Sequence, residues 1–199
     1  MIWPRRVDSY DELPELRLEG FRVYLRPPKR SDMDDWISVR SKNREFLEPF
    51  EPTWPQNCLT SEFFNKRLKR MTSDWQSDRA YSFFIFLNES DVFIGGVNIN
   101  NVARGASQSA TLGYWLSKDQ QRSGYMSEAL RQIIIYAFEE LKLHRLNAGC
   151  LLDNQPSISL LKKLGFEEEG MAKKFVQING KWQDHKLFGL PVEHWKDKA

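Results

Sequence analysis

The chain has 199 residues, a formal net charge of +2, 41% hydrophobic residues and 13% aromatic residues. This length supports one domain with a sizeable core, and the composition excludes a disordered chain. The small net charge gives no reason to expect a polyanionic partner, so we expect no direct nucleic-acid binding.

Apolar runs and cysteine spacing indicate the cellular compartment in which the protein is expected. No run approaches the roughly 18 apolar residues of a membrane span, and the first residues lack the apolar stretch of a signal peptide. Cys58 and Cys150 form neither a CxxC nor a Cys/His metal spacing. We therefore expect a reduced, cytoplasmic protein with no membrane partner and no metal.

The first part of the chain predicts an extension, one strand and one helix. Residues 1–19 are mixed in charge and contain two prolines, which is typical of an extension before the fold. Residues 21–25 alternate as a half-buried strand does. Ser31 has the side chain of an N-cap and predicts a helix from Asp32 to about Arg40.

A proline-rich loop with aromatic and acidic residues follows. Its three prolines between positions 46 and 55 exclude an ordinary helix. Thr60 then caps a helix with an apolar line at helical spacing. The basic residues off that line predict a solvated face, with contact to ribosomal RNA as the alternative. They are Lys66, Arg67, Lys69 and Arg70.

The remainder predicts strands and two more helices. The strands are expected at about 81–87, 92–100, 109–116, 145–151, 170–178 and 182–190, and the helices at about 125–141 and 154–164. Gly95-Gly96 predicts a bulge, and Asn179-Gly180 predicts a hairpin. This order indicates a mixed α/β (α+β) domain over residues 20–190, with helices on a largely antiparallel sheet, followed by a tail at 191–199.

The junction between Leu116 and Met126 has the features of an anion site. A helix begins there, and its first turn has unpaired N–H groups and the positive end of a dipole, which suit a diphosphate. Gly124 lets a phosphate approach the backbone, and Arg122 adds a cation. A plain strand-to-helix turn is the alternative. Neither G-x-x-x-x-G-K-[ST] nor G-x-G-x-x-G is present, which excludes the common nucleotide-binding loops.

The turn Gln121-x-x-Gly124-x-Met126 resembles the Gln/Arg-x-x-Gly-x-Gly/Ala element of the GNAT N-acetyltransferase superfamily, whose element order also matches. Further motifs resemble the bacterial ribosomal-protein-alanine N-acetyltransferase family over about residues 20 to 190. They lie at 46–52, 101–105, 112–114, 164–170 and 179–185. The resemblance implies a GNAT-like sheet flanked by about four helices, and acetyl-CoA as donor. The departures are Arg122-Ser123, where many relatives have Gly-Lys, and the bulky Met126.

The resemblance also implies residue roles. Donor contacts are expected from Trp115, Leu116, Ser117, Arg122, Ser123, Gly124, Tyr125, Met126 and Asn154. In this family the asparagine lies near the pantetheine arm, and Ser157 is the acid that protonates the leaving thiolate. Without the resemblance, Asn154 and Ser157 are a helix cap and an ordinary first-turn serine. A backbone N–H near positions 115 to 117 is the expected oxyanion donor.

The acceptor side is less defined by the sequence. Glu51 is a candidate base because its loop could desolvate it; Glu48 and His185 are alternatives. The two glutamates could instead attract a cationic N-terminus. We expect direct transfer to a protein N-terminal amine, with a ribosomal protein as the first candidate. A small-molecule amine is the alternative acceptor, and a non-catalytic coenzyme A-binding partner protein is the alternative function.

Overall fold

The computed structural model describes residues 13–195 as an eight-stranded sheet with five α-helices. The strands are β1 Leu18–Glu19, β2 Val23–Arg26, β3 Tyr81–Leu87, β4 Phe93–Ala103, β5 Ser109–Leu116, β6 Arg145–Leu151, β7 Glu167–Ile178 and β8 Lys181–Pro191. The helices are α1 Met33–Lys42, α2 Arg44–Leu47, α3 Ser61–Gln76, α4 Tyr125–Ile135 and α5 Gln155–Lys163. The predicted α/β class is confirmed. Across residues 13–195, no helix combines the length and apolar character of a membrane span.

The sheet order is β1-β2-β3-β4-β5-β6-β8-β7, and every pair is antiparallel except β5 and β6. These two parallel strands pair only from Ser109 with Arg145 to Leu112 with Ala148. Both strands continue past that point without pairing to each other. We call the space between Gly113–Leu116 of β5 and Gly149–Leu151 of β6 the strand gap.

The two faces of the sheet are covered by different helices. On one face, which we call the core face, the apolar side of α4 buries Leu130, Ile133 and Ile134 completely, and α5 packs in the same cluster. Each such side chain contributes about 1.5–3 kcal/mol on burial. On the other face, the cleft face, α1 and the first half of α3 place Trp36 and Phe64 against the sheet.

The predicted cap at Ser31 is wrong. Residues Arg30–Asp32 form a 3₁₀ turn, and α1 begins at Met33. Asp32 is buried and accepts two hydrogen bonds from the Arg26 guanidinium, at 2.6 and 2.8 Å. The tertiary ion pair with β2 therefore decides where this helix begins, and the local side-chain preference does not.

The loop predicted at residues 46–55 is partly helical. Its first residues belong to α2, and Glu48–Phe50 forms a 3₁₀ turn with Pro49 in its first turn, where no backbone N–H is needed. Residues 51–59 have no helix or strand. The prolines thus limit the helix to one short segment and do not exclude it.

The predicted bulge in β4 lies next to the predicted position. Ile85 pairs with Gly95 and Phe86 with Phe93, which leaves Ile94 as the extra residue. Gly95 is required for a different reason: a Cβ there would lie 2.4 Å from the carbonyl oxygen of Trp115. The glycine allows β4 and β5 to approach closely.

Two predicted element ends also differ. Helix α4 changes to a π-helical segment at Tyr136–Glu140, where a continuous α-helix was expected. At the other end of the fold, β1 pairs with β2 inside the segment predicted as an extension. The 20–190 domain boundary remains a prediction, and residues 1–12 and 196–199 lie outside the described residues.

Candidate active site

The turn before α4 presents free backbone donors. Gly124 is the N-cap with a φ of +82°, and Arg122 has a φ of +62°. Among acceptors of the described residues, none bonds the backbone N–H groups of Arg122 through Met126. Arg122, Ser123 and Gly124 are exposed. Their donors and the helix dipole are therefore available to an anion, as the sequence predicts.

Arg22 is a site neighbour that sequence reasoning missed. Its Nη1 donates to the carbonyl oxygen of Ser123 at 2.9 Å, and its Nε donates to Glu128 at 3.1 Å. Glu128, in the first turn of α4, also accepts the N–H of Arg22 at 2.5 Å. These bonds tie the chain before β2 to the turn. No local signal could reveal them, because Arg22 lies about a hundred positions upstream of its partners.

The backbone directions in β5 reduce the number of candidate N–H groups for the oxyanion. Ser117 donates its N–H to the carbonyl oxygen of Ile94 at 2.8 Å, so it is already bonded. Donor direction alternates along a strand, so Trp115 also points to β4, whereas Tyr114 and Leu116 point to the strand gap. Leu116 is therefore the suited donor within the predicted stretch.

Ser157 lies beside the strand gap on the core face. The Asn154 side chain caps α5 and accepts the N–H of Ser157 at 3.2 Å. The Ser157 hydroxyl in turn lies 2.6 Å from the hydroxyl of Tyr114. Burial raises the pKa of Tyr114 to about 12, so this phenol is protonated at neutral pH. The sequence-based reasoning had not assigned Tyr114 to the site.

Cys150 completes this side of the gap as an unreactive group. Burial raises the pKa of its thiol, and a hydrogen bond with Ser157 offsets that rise in part. The thiol form is therefore favoured over the nucleophilic thiolate. This chemistry agrees with the expectation of direct transfer without an acyl-enzyme.

Glu51 lies on the cleft face and is already bonded. Arg40 donates to both of its carboxylate oxygens, at 2.7 and 2.5 Å, and Trp54 donates at 2.8 Å. The backbone N–H of Asn179 donates to the backbone carbonyl oxygen of Glu51 at 2.9 Å, and this bond joins the loop to the β7–β8 turn. Both carboxylate oxygens are thus occupied by donors from Arg40 and Trp54. The base assignment remains a prediction.

The other two candidate bases also have partners. Glu48 accepts a hydrogen bond from Arg44 at 2.8 Å. His185 is buried, its Nδ1 lies 3.0 Å from the carbonyl oxygen of Gln183, and strand alternation turns it to the cleft face. Within the described residues, no group of three or more His, Cys, Asp or Glu side chains could hold a metal ion.

Comparison with known proteins decides the family. The model of the acetyltransferase (GNAT) domain matches residues 22–167. The chain belongs to the GNAT acetyltransferase family. It is 39% identical to the probable N-acetyltransferase YjcK of Bacillus subtilis over 87% of this chain and 96% of that protein. It is 33% identical to the [ribosomal protein uS5]-alanine N-acetyltransferase of Escherichia coli, over 92% and 94% of the two chains.

A solved GNAT structure agrees with this membership. Mycobacterium smegmatis RimJ in complex with CoA-disulfide superposes with a TM-score of 0.82 at 30% identity, over 86% of this chain and 82% of that one. The predictions of a GNAT fold, an N-acetyltransferase and acetyl-CoA as donor are confirmed. The individual donor contacts remain predictions.

Proposed function

We propose that this GNAT enzyme transfers acetyl directly from acetyl-CoA to the N-terminal α-amino group of a protein, with a ribosomal protein as the first candidate. The observation that carries the proposal is the 33% identity with the uS5-alanine enzyme over 92% of this chain. The relatives that modify ribosomal proteins also support action in the cytoplasm.

The turn before α4 holds the donor. Its free N–H groups, from Arg122 through Met126, bind the diphosphate, and the Arg122 side chain adds a charge. The pantetheine arm then enters the strand gap between β5 and β6. In the gap the N–H of Leu116 stabilises the oxygen of the thioester as it gains negative charge.

The amine and the acid act from opposite faces of the sheet. The acceptor enters from the cleft face, while Ser157 lies on the core face against Tyr114. The nitrogen forms a bond to the carbonyl carbon, and the carbon–sulfur bond breaks. Ser157 gives its proton to the leaving sulfur, and the Tyr114 phenol replaces it. The amine loses its extra proton to solvent and Tyr114 regains one proton from solvent, so that Ser157 and Tyr114 end the cycle as they began it.

This reaction does not need a strong base. An α-amino group has a pKa near 8, so a usable fraction is neutral at pH 7. The Glu51 carboxylate then acts through Arg40 and holds the loop in place, while the backbone carbonyl oxygen of Glu51 accepts the N–H of Asn179 in the β7–β8 turn. We therefore propose that Glu51 is a positioning residue.

A panel of acceptors with detection of released thiol tests the proposal. We expect turnover with peptides that have a free N-terminal alanine or serine, and none with the same peptides acetylated at the N-terminus. Turnover with small amines alone would replace the protein acceptor with the small-molecule alternative. Binding of acetyl-CoA without any turnover would favour the non-catalytic partner.

A further inference from the structure

The cleft face contains a cavity of about 280 Å³ between α1, α3 and the segment 51–59. Its wall combines aromatic rings with charged groups. The charged residues that line it are Arg40, Glu51, Arg67 and Arg70, and we call it the arginine cavity. Three cations and one carboxylate meet there, so the cavity has an excess of positive charge.

Arg67, unlike Arg40, makes no ion pair with Glu51 or with another acid of the described residues. The sequence predicts it on a solvated face, and this is wrong: its Nε is buried and has no hydrogen-bond partner within the described chain. The Nε of Arg40 is in the same condition, while the other nitrogens of Arg40 bond Glu51. The contact recorded for the Arg67 guanidinium is with the Trp36 ring, at 5.9 Å.

Unpaired buried donors of this kind are expensive unless a ligand or water satisfies them. Burial first, and then the charges of Arg40 and Arg70, lower the pKa of Arg67 to about 10. The group is still charged at neutral pH. A negative group placed in the cavity would receive its hydrogen bonds and offset the repulsion.

The cavity lies beside the strand gap. The Arg40 guanidinium lies 4.9 Å from the centre of the Trp115 ring on the cleft face. Trp115 follows Tyr114, whose hydroxyl contacts Ser157 from the core face. Under the proposed function, the acceptor enters on the cleft face and passes this cavity.

We propose that the arginine cavity binds a carboxylate or phosphate group of the acceptor, and that the enzyme selects amines with such a group nearby. The favoured source is an acidic side chain among the first residues of an acceptor protein. The carboxylate of a small acceptor would bind the cavity in the same way as an acidic side chain. The selection rests on the proposed function, but anion binding by Arg67 does not.

Anion binding is measured without catalysis. Inorganic phosphate is titrated into wild-type protein, Arg67→Gln and Lys69→Gln while the arginine Nε–H resonances are recorded by NMR. Lys69 lies on the same helix, is exposed, does not line the cavity and loses the same charge. The Arg67 resonance is identified by its absence from the spectrum of Arg67→Gln. We expect phosphate to shift this resonance saturably in the wild type and in Lys69→Gln. A folded wild type without that shift would overturn the proposal.

Selection is measured with matched acceptors. Peptides with Asp or Glu at positions 2 to 4 are compared with their Asn and Gln counterparts, and alanine is compared with its amide. We expect kcat/KM to favour the acidic member about tenfold in the wild type and in Lys69→Gln, and equality in Arg67→Gln. Equal use of acidic and neutral peptides by the wild type would refute the selection while leaving the proposed function intact. Use of alanine, but of no peptide, would refute the proposed function and leave the cavity assignment standing.

Discussion

The hydroxyl oxygens of Tyr114 and Ser157 lie 2.6 Å apart, although the residues come from β5 and from the first turn of α5. Strand β5 borders the strand gap, and Ser157 lies beside the gap on the core face. The hydrogen bond therefore holds the Ser157 hydroxyl beside the strand gap, the space that the proposed function assigns to the thioester. It also gives that hydroxyl a protonated neighbour, because burial raises the pKa of Tyr114 to about 12.

Removal of the Ser157 hydroxyl should slow the chemical step. A positioned general acid contributes about 10²–10⁴-fold, so we expect Ser157→Ala to lower kcat by about 10²-fold with little change in the KM for acetyl-CoA. Ser159→Ala is the matched control, since Ser159 is exposed on the same helix. Steady-state rates decide the matter: a kcat for Ser157→Ala equal to that of the control would contradict the role as acid.

The turn before α4 should lose donor affinity when Gly124 gains a side chain. Its φ of +82° is strained for alanine by about 1 kcal/mol, and the new Cβ would lie 3.2 Å from Arg22. We expect Gly124→Ala to weaken coenzyme A binding about five- to tenfold in calorimetry. Gly105→Ala is the control, because Gly105 has a φ of +64° and open space around it. Equal affinities in the two variants would argue against phosphate binding at this turn.

Loss of the Glu51 carboxylate should affect stability before chemistry. The Arg40–Glu51 pair is mostly enclosed, with side-chain exposures of 12% and 21%. We expect Glu51→Gln to destabilise the fold by about 2 kcal/mol, or about 4–8 °C in Tm, because Arg40 keeps its charge. Glu48→Gln breaks the more exposed pair with Arg44 and should cost under about 1 kcal/mol.

The pH profile of Glu51→Gln separates the two roles of this residue. A positioning role predicts that kcat/KM follows the same pH dependence as the wild type, at a reduced level. If the acidic limb of the profile disappears in Glu51→Gln and persists in Glu48→Gln, then Glu51 is the base.

Stability should fall at high pH because of buried tyrosines. Burial is the largest cause that raises the pKa of Tyr114 to about 12, and it also raises the pKa of Tyr136, from the ordinary 10.0. The neutral phenol is favoured in the fold, so this stabilisation is complete below about pH 10 and declines as the pH rises toward the folded pKa. We expect Tyr136→Phe, compared with the wild type in thermal melts from pH 8 to 12, to flatten that decline. Identical slopes for the two proteins would contradict the assignment.

Much of the fold is predictable from local pattern. The strands β3, β5 and β6 were predicted to the residue, because their apolar runs and alternation have no competing interpretation. Asn154 caps its helix as expected. Asn179 and Gly180 have positive φ values of 42° and 77°, as their hairpin turn requires.

The missed features depend on contacts between different elements of the fold. Asp32 replaces Ser31 at the start of α1 because Arg26 binds it. Arg67 lies at a position that helical spacing assigns to solvent, yet it lines a cavity together with the segment 51–59. Tyr114 belongs to the candidate site only because the packing of β6 and α5 places Ser157 next to it. A sequence pattern carries no record of such contacts.

Mass spectrometry of a peptide with one free α-amine and one lysine tests the central claim most directly. The enzyme is incubated with acetyl-CoA and this peptide, and the acetyl position is located by fragmentation, with Ser157→Ala and Ser159→Ala in parallel. We predict one acetyl group on the α-nitrogen, formed at wild-type rate by Ser159→Ala and about 10²-fold more slowly by Ser157→Ala. Acetylation of the lysine instead, or equal rates in the two variants, would contradict the account.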